Sequence, residues 1–284
     1  MKTLGRLAAA LLLASAAAPS FAAITCSVSV TSITSVYDPT VATNNVSTGS
    51  YAISCTRLAG DPNSLTWSLG ADNGLQPGGG SNRAERAGGQ RYSYDVYRLS
   101  PYTNGNRWQD GGGTRFTGTL NFGAALTATQ SGSFDLVVYG SQTVQPAGTY
   151  TDTIGVTLRN STTNVTLNTS TFGVSVITTN ACQISVPPGN INLNYTSFQG
   201  SAATANTTFG VRCTTALPYT MALDATSGTV LGLTYTLALS QNSGTGIGST
   251  QSYSIDGTMA AGQVGTCASA TCSGSQTRTL TITY

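Results

Sequence analysis

Two segments of this chain share one alternating pattern of polar and apolar residues. Thr151–Leu158 reads TDTIGVTL and Thr277–Tyr284 reads TRTLTITY, so both have the form T-x-T-[IL]-x-[VI]-T-[LY]. Apolar residues at every second position are typical of a β-strand with one buried face. The repeat therefore predicts two copies of one β-module.

The two copies differ in the residues that come after the repeated segment. After the first copy the chain continues with Val165–Leu167 and Phe172–Val176. The apolar residues have odd numbers in the first of these segments and even numbers in the second. A strand with one buried face cannot change parity without a break or a bulge, so we expect a break at Asn168–Thr171. The second copy reaches Tyr284 without such a continuation. We therefore predict that the first module contains its own last strand and that the second lacks one.

The same period-two alternation recurs through the rest of the chain. Short strands separated by turns rich in Gly, Pro and Asn are typical of β-sandwiches. We predict an all-β protein with two immunoglobulin-like β-sandwich domains in tandem, the second lacking its last strand. We expect residues 23–179 to form a self-complete N-terminal domain, which we call module one. Residues 180–284 are expected to form an incomplete C-terminal domain, which we call module two.

An alignment of the modules extends beyond the repeated segment. Three further stretches match between them: Tyr51–Cys55 with Phe209–Cys213, Leu65–Leu69 with Tyr219–Leu223, and Val138–Gly140 with Ile255–Gly257. In module two, the alternation of Ile191, Leu193 and Tyr195 predicts another strand. In module one, the Gly-rich segment Asn73–Gly89 predicts a solvated loop.

Residues 1–22 have the form of a secretory signal peptide. Lys2 and Arg6 precede an apolar run, Leu7–Ala18, that is too short to span a bilayer, and Ser20–Ala22 is a small-x-small cleavage site. After cleavage the cationic and acidic residues balance, which speaks against a nucleic-acid partner or an anionic membrane surface. We therefore predict an exported protein.

The six Cys residues fit an oxidising compartment. Each module has one Cys on its first strand and one on its second, so the repeat selects three pairs: Cys26–Cys55, Cys182–Cys213 and Cys267–Cys272. Closing a loop of about 30 residues stabilises a fold by roughly 3–4 kcal/mol in the chain-entropy model. A redox or metal role has no support, because the chain contains neither a CxxC motif nor any His.

The residue inventory also speaks against catalysis. With no His, a Ser-His-Asp triad and His-ligated metal sites are excluded. The 10 acidic residues are scattered and form no recognisable acid–base pair. We predict that the protein is not an enzyme and that it uses no cofactor and no metal.

Several motifs resemble the spore coat protein U domain family. They are an early Cys followed by Tyr37–Pro39, the second-strand Cys55, Trp108–Gly113, Val138–Gly140 and Pro146–Ile154. The resemblance extends over both modules, although module two lacks the Tyr-Asp-Pro motif and has the Cys267–Cys272 loop in place of Pro-Ala-Gly-x-Tyr. The family includes pilins of archaic, Csu-type chaperone–usher pili, in which an incomplete pilin is completed by the N-terminal strand of the next subunit.

This resemblance implies a set of partners and a place in the pilus. The partners would be a periplasmic chaperone, an outer-membrane usher and an adjacent pilin subunit that inserts its N-terminal donor strand. Only Ala23–Thr25 precede Cys26 after the signal peptide, too few residues for a donor strand. A subunit that accepts a strand but donates none fits the plan of a two-domain tip adhesin, exported through the periplasm to the pilus tip on the cell surface.

The binding surface is expected at the end of module one away from module two. Loops at Arg57–Asn63, Phe122–Leu126 and Arg159–Asn164 should point there. We predict that adhesion to an abiotic or host surface, as in a biofilm, uses apolar loop tips, as the hydrophobic finger loops of Csu-type tips do. The candidate contact residues are Arg57, Leu58, Ala59, Phe122, Ala124, Ala125 and Leu126. The alternative is that Phe122 and Leu126 belong to a strand and the core.

The last strand that module two is predicted to lack would leave a groove for the donor strand. Its expected lining is Leu280, Ile282, Tyr284, Ile191 and Leu193. The alternative is that module two takes its missing strand from Val186–Tyr195. Two other functions stay open at this point: a structural, self-assembling pilin or coat subunit without a receptor, and a lectin-type adhesin with an aromatic and polar pocket.

Overall fold

The computed structural model describes residues 24–38, 40–77, 82–86 and 88–284. The predicted signal peptide lies outside these residues. The regular structure is β-strand except for two 3₁₀ turns, at Asn104–Asn106 and Gly112–Thr114, so the predicted all-β class is confirmed. Within the described part of the chain, no helix is long and apolar enough to cross a membrane.

The strands are numbered in chain order. They are β1 (Thr25–Val30), β2 (Ile33–Tyr37), β3 (Asn45–Thr56), β4 (Ser64–Ala71), β5 (Asn82–Glu85), β6 (Arg91–Tyr97), β7 (Phe116–Asn121), β8 (Thr127–Val138), β9 (Gly148–Asn160), β10 (Thr166–Thr178), β11 (Cys182–Val186), β12 (Ala203–Cys213), β13 (Pro218–Leu223), β14 (Ser227–Val230), β15 (Leu233–Leu239), β16 (Ser243–Thr245), β17 (Thr250–Met259) and β18 (Leu280–Thr283).

The strands β1 to β10 form one continuous sheet that curls into the two faces of a sandwich. One face has the order β1-β3-β8-β6-β5, and the other contains β7, β4, β9, β10 and β2. The faces join where Glu85 of β5 pairs with Thr151 of β9. The segment Asn73–Gly89 is therefore not wholly a loop, because β5 lies within it.

The core of this sandwich is rich in aromatic rings. Trp108 is fully buried, stacks on Phe172 with ring centroids 6.0 Å apart, and lies 5.0 Å from Phe134. Its Nε1 donates a hydrogen bond to the carbonyl of Leu69 at 2.9 Å, so its one polar atom is satisfied inside the core. Phe172 belongs to β10, so this strand supplies part of the core.

The last strand of module one lies between β9 and β2. It runs antiparallel to β9 and parallel to β2, and its inward residues Phe172, Val174 and Val176 are buried. The register shifts between Thr166 and Asn168. The expected break at Asn168–Thr171 is therefore wrong in its position, because these residues pair continuously with β9. The irregularity is a bulge just before them, which lets half-buried Leu167 contact the core despite its opposite parity.

The remaining strands form two smaller sheets. Their orders are β11-β12-β17-β15-β14 and β16-β13-β18, and they enclose a second core that includes Phe209, Val211 and Tyr219. The prediction of a strand at Ile191–Tyr195 is wrong, because residues 187–196 adopt no regular structure. Alternation alone does not make a strand where no neighbouring strand offers backbone partners.

All three disulfides are present in the structure. Cys26 lies opposite Cys55 in the β1–β3 ladder, and Cys182 lies opposite Cys213 in the β11–β12 ladder, with Cα atoms 4.0 and 4.1 Å apart. Cys267 and Cys272 close a small loop, with Cα atoms 5.9 Å apart. The two cross-strand bonds occupy matching places in the two sandwiches.

Three pairs of hydrogen bonds align the modules more accurately than their sequences do. Trp67 donates to Gln130 and Tyr219 to Gln251, at 3.0 and 3.2 Å. Tyr94 donates to Asp152 and Tyr235 to Gln276, both at 2.7 Å. Asp72 pairs with Gly155 as Asp224 pairs with Thr279, each through a backbone bond and a side-chain bond. These three matched contacts place the corresponding segments of the two modules at equivalent positions.

This alignment corrects the matches expected from the sequence. Tyr219, and not Met221, is equivalent to Trp67, and Leu280 is equivalent to Val156, so both strands shift by two residues. Ile255 is equivalent to Phe134, because it lies four residues after Gln251 as Phe134 lies four residues after Gln130. Shifts by an even number of residues preserve the buried face, which is why the sequence pattern could not detect them.

The two sandwiches contact each other through the β8–β9 loop. The Val144 N–H donates to the Gly248 carbonyl at 3.1 Å, and the Thr215 N–H donates to the Val144 carbonyl at 3.2 Å. Arg212 Nη2 donates to the carbonyl of Gln142 at 2.9 Å. Since β10 ends at Thr178 just before this junction, the β9–β10 turn lies at the opposite end of module one.

Candidate functional site

Module two has an open groove where module one has β10. The groove has a volume of about 560 Å³. One wall extends from Gly274 to Leu280, the first residue of β18, and the other is the irregular segment Pro188–Leu193. Leu223, Leu237 and Ile255 from the neighbouring strands contribute to its apolar lining.

The two walls correspond to the two strands that flank β10 in module one. β18 and the residues before it are equivalent to β9, and the segment after β11 follows it in the chain as β2 follows β1. In module one, β10 satisfies the backbone groups of both neighbours. Residues 187–196 and 271–279 of module two form no strand, and β18 pairs only with β13 among the described strands. The groove therefore lies at the position that β10 occupies in module one.

Three of the five residues predicted for this groove line it, namely Ile191, Leu193 and Leu280. Ile282 and Tyr284 are not among the residues that line the groove, although Ile282 packs against the core of module two and Tyr284 is 59% exposed. The sequence analysis missed the polar part of the wall, Gln276 and Arg278, because its alignment was displaced by two residues.

The polar pair at the equivalent place in module one is fully enclosed. Tyr94 is buried and donates to Asp152 Oδ2. Burial raises the pKa of Tyr94, and the Asp152 carboxylate raises it further, so the phenol remains a hydrogen-bond donor. β10 covers this pair, with Val174 opposite Asp152. The matching pair in module two, Tyr235 and Gln276, lines the open groove.

A second candidate site lies at the distal end of module one, defined as the end away from the junction. Three turns meet there: 57–63 between β3 and β4, 122–126 between β7 and β8, and 161–165 between β9 and β10. Backbone hydrogen bonds join the first two turns, from Phe122 to Asn63 at 2.8 Å and from Arg57 to Leu126 at 2.9 Å, and connect Ser161 of the third turn to Thr66 of β4 at 3.0 Å.

Two residues predicted to contact a surface are instead structural. Phe122 is 4% exposed and belongs to the core, and Arg57 is 8% exposed. The Arg57 guanidinium lies 5.7 Å from the Phe122 ring and donates to the carbonyls of Ala125, Asp61 and Gly123 at 3.0–3.1 Å. These contacts fix the two turns, so Arg57 and Phe122 hold the tip and do not form its outer surface.

The outer surface of the distal end carries exposed apolar side chains from all three turns. Leu58 is 58% exposed, Leu126 is 48% exposed, and Val165 is 58% exposed. Ala59, Ala124 and Ala125 are exposed beside them. Val165 was missing from the predicted contact set, because the sequence pattern placed it at the start of the last strand.

No group of Asp, Glu or Cys residues in the described part of the chain could hold a metal ion. The two candidate surfaces are a groove lined by both apolar and polar residues and a loop surface with exposed apolar side chains. Such surfaces bind through shape, backbone hydrogen bonds and apolar contact.

The comparison with protein families supplies the identification. The model of the Spore Coat Protein U domain matches residues 10–157, which is just over half of the chain. This chain belongs to the spore coat protein U domain family. The match ends within β9, so it covers most of module one. The likeness of module two to this family domain rests on the disulfide and the hydrogen bonds that it shares with module one.

Solved structures similar to this family member include pilus proteins. The CupB6 tip adhesin from Pseudomonas aeruginosa is 10% identical and has a TM-score of 0.38, over 84% of this chain and 88% of that one. The CssB subunit of Escherichia coli colonization factor CS6, complemented with a donor strand from CssA, is 16% identical with a TM-score of 0.31, over 54% and 97%. Self-complemented MyfA from Yersinia enterocolitica is 12% identical with a TM-score of 0.28, over 54% and 98%. No curated protein matches the chain.

Proposed function

We propose that this protein is a subunit of a chaperone–usher pilus and acts as its tip adhesin. In this proposal, residues 23–179 form a closed domain that binds surfaces through its distal loops. Residues 180–284 form an incomplete pilin domain that accepts a β-strand from the adjacent subunit. A periplasmic chaperone and an outer-membrane usher would assemble the protein.

The observation that carries the proposal is the contrast between two equivalent slots. In module one, β10 lies between β9 and β2 and contributes Phe172, Val174 and Val176 to the core. In module two, the equivalent walls flank a groove of about 560 Å³. A β-strand fits such a slot, because it can satisfy both edges and place alternate side chains in the apolar floor.

The free energy that a last strand contributes is comparable to the stability of a whole domain. Fully burying one Val or Phe side chain contributes roughly 1.5–3 kcal/mol. The three inward residues of β10 therefore contribute on the order of 5–9 kcal/mol to module one, which matches the net stability of many small domains. Module two without an inserted strand lacks this contribution, so we expect it to require a chaperone before assembly.

The adhesive role is supported by the distal loops. Leu58, Leu126 and Val165 expose apolar surface in three turns, and Arg57 and the core residue Phe122 hold the first two of these turns together. A fixed apolar surface loses little conformational entropy on contact with an abiotic or host surface. The exposed side chains of the three turns include these three large apolar ones and no aromatic ring, which favours apolar adhesion over lectin-type binding.

The proposed strand acceptance can be tested by transplanting the last strand of module one. Because Tyr284 is equivalent to Asn160, a second copy of residues 161–178 added directly after Tyr284 should enter the groove through the same turn. We expect the urea midpoint of module two to rise strongly while the protein stays monomeric, since the added strand binds the native state alone. The matched control is the same copy with Val174→Asp and Val176→Asp. Equal midpoints for the two proteins would refute the proposed strand slot.

The tip position requires a separate experiment on intact cells. Immunogold labelling with an antibody against module one should mark the ends of the pili. Label distributed along the fibre would instead support the alternative of a structural subunit without a surface-binding role.

A further inference from the structure

We infer that the strand accepted by module two carries a hydrogen-bond acceptor, such as Asp or Asn, at the inward position where β10 carries Phe172. This inference rests on the proposed function and specifies the chemistry of the partner strand. It is based on one difference between the two equivalent walls, which is Ile154 in module one and Arg278 in module two.

Arg278 occupies the place in module two that Ile154 occupies in module one. The Asp72–Gly155 and Asp224–Thr279 contacts are equivalent, and Ile154 and Arg278 each precede the second residue of these pairs. Ile154 is fully buried, faces the core of module one and lies opposite Phe172 in the β9–β10 ladder. The residue of an accepted strand that corresponds to Phe172 would therefore lie beside Arg278.

The Arg278 side chain is held in the groove by specific contacts. Its Nε donates to the Tyr235 hydroxyl at 2.8 Å, and its Nη2 donates to the Ser227 carbonyl at 2.7 Å. The guanidinium lies 5.6 Å from the Tyr235 ring. The backbone makes room for it at Gly228, where an added Cβ would collide with Nη2.

The Nη1 atom of the guanidinium lies farther from its partner than Nε and Nη2 lie from theirs. Its Nη1 reaches Asp224 Oδ2 only at 3.8 Å, and the Asp224 side chain is 43% exposed. A strand in the groove would remove water from Arg278 on the groove side. A guanidinium N–H that is buried without a close acceptor is costly, whereas a charge-assisted hydrogen bond to a carboxylate or amide oxygen offsets this cost.

The groove therefore discriminates between strands. An aromatic or aliphatic residue, which suits Ile154 in module one, would cover Arg278 without supplying an acceptor. A strand with Asp or Asn at this position and apolar residues at the next inward positions fits both parts of the wall. Such a mismatch penalty selects one partner strand and fixes its register.

The test uses the full chain with the added copy of residues 161–178 after Tyr284. Phe172→Asp and Phe172→Leu are introduced in the added copy only, while module one keeps its own β10. We expect the Asp copy to give module two the higher urea midpoint. In the Arg278→Ile background, which restores the residue type of module one, the order should reverse. Arg278→Gln provides a second background, in which the advantage of Asp should disappear.

The matched control is Ser175→Asp in the added copy, because Ser175 is partly exposed and faces away from the core. This change should not mimic the effect of Asp at the inward position. A Leu copy that is as stabilising as the Asp copy beside wild-type Arg278 would overturn the inference and leave strand acceptance intact. If no copy stabilises module two over the doubly substituted control, both the inference and the proposed strand slot fail.

Discussion

Removing the exposed apolar side chains of the distal loops should weaken adhesion without unfolding module one. The variant combines Leu58→Ser, Leu126→Ser and Val165→Ser, one change in each turn. All three side chains are about half exposed, so each substitution removes few core contacts. Surface substitutions of this kind change the free energy of unfolding by about 0.5 kcal/mol or less.

The loss of adhesion can be estimated from the exposed fractions. Full burial of a Leu or Val side chain contributes roughly 1.5–3 kcal/mol. Since about half of each side chain remains to be buried against a surface, each contact is worth about 1 kcal/mol, and the three together about 3 kcal/mol. That energy corresponds to about a hundredfold weaker attachment per molecule.

The assay is an adsorption isotherm of the purified full-length chain on polystyrene, measured at low and high salt. Apolar contact predicts a large loss of affinity in the triple variant and little dependence on salt. The matched control replaces three exposed apolar residues elsewhere in module one, with Val36→Ser, Val46→Ser and Leu75→Ser. This control should adsorb like the wild type.

Two results would refute the reasoning. The triple variant could adsorb as tightly as the wild type while it unfolds at the same urea concentration, which would remove the distal loops as the contact surface. The control variant could lose as much affinity as the triple variant, which would mean that adsorption is not localised. Phe122→Ser is unsuitable as a probe of adhesion, because opening the core there should cost about 3–5 kcal/mol of stability.

Two further predictions concern the stability of module one. Asp95 is buried beside Arg107, and burial raises the pKa of its carboxyl to about 6. The neutral carboxyl therefore stabilises the folded state fully below about pH 4, and this stabilisation is lost as the pH rises through about 6. Thermal unfolding of Asp95→Asn between pH 4 and 7 should therefore show a weaker fall in stability with rising pH than the wild type, and an unchanged slope would contradict this. Gly118→Ala would place a Cβ 2.6 Å from the Trp67 ring and should lower the free energy of unfolding in urea by about 1–3 kcal/mol. Gly105 has open space around it, so Gly105→Ala should lower it far less. Equal losses in the two variants would exclude the steric reason.

The sequence was sufficient where local pattern and covalent chemistry decide the outcome. Alternation of apolar residues predicts strands such as β3, β6 and β9, because one face of each must be buried. The placement of one Cys on each of two early strands also selects Cys26–Cys55 and Cys182–Cys213, since the paired strands bring these residues together. The continuation after Leu158 predicts that module one has a last strand.

The sequence was insufficient where a result depends on which neighbour a residue meets. Phe122 and Leu126 lie four residues apart in one apolar turn, yet one is in the core and the other is exposed. The alternation at Ile191–Tyr195 resembles a strand, but these residues pair with no strand in the described part of the chain. Neither outcome is contained in the local pattern.

The sequence by itself therefore determined the all-β class, the two-module repeat and the last strand of module one. Only the tertiary structure decided the alignment of the two walls, and with it the position of Arg278 in the groove. The physical reason is that a strand buries the same face after any shift of two residues. Hydrogen bonds between distant side chains, such as Tyr235 to Gln276, are what distinguish one register from the next.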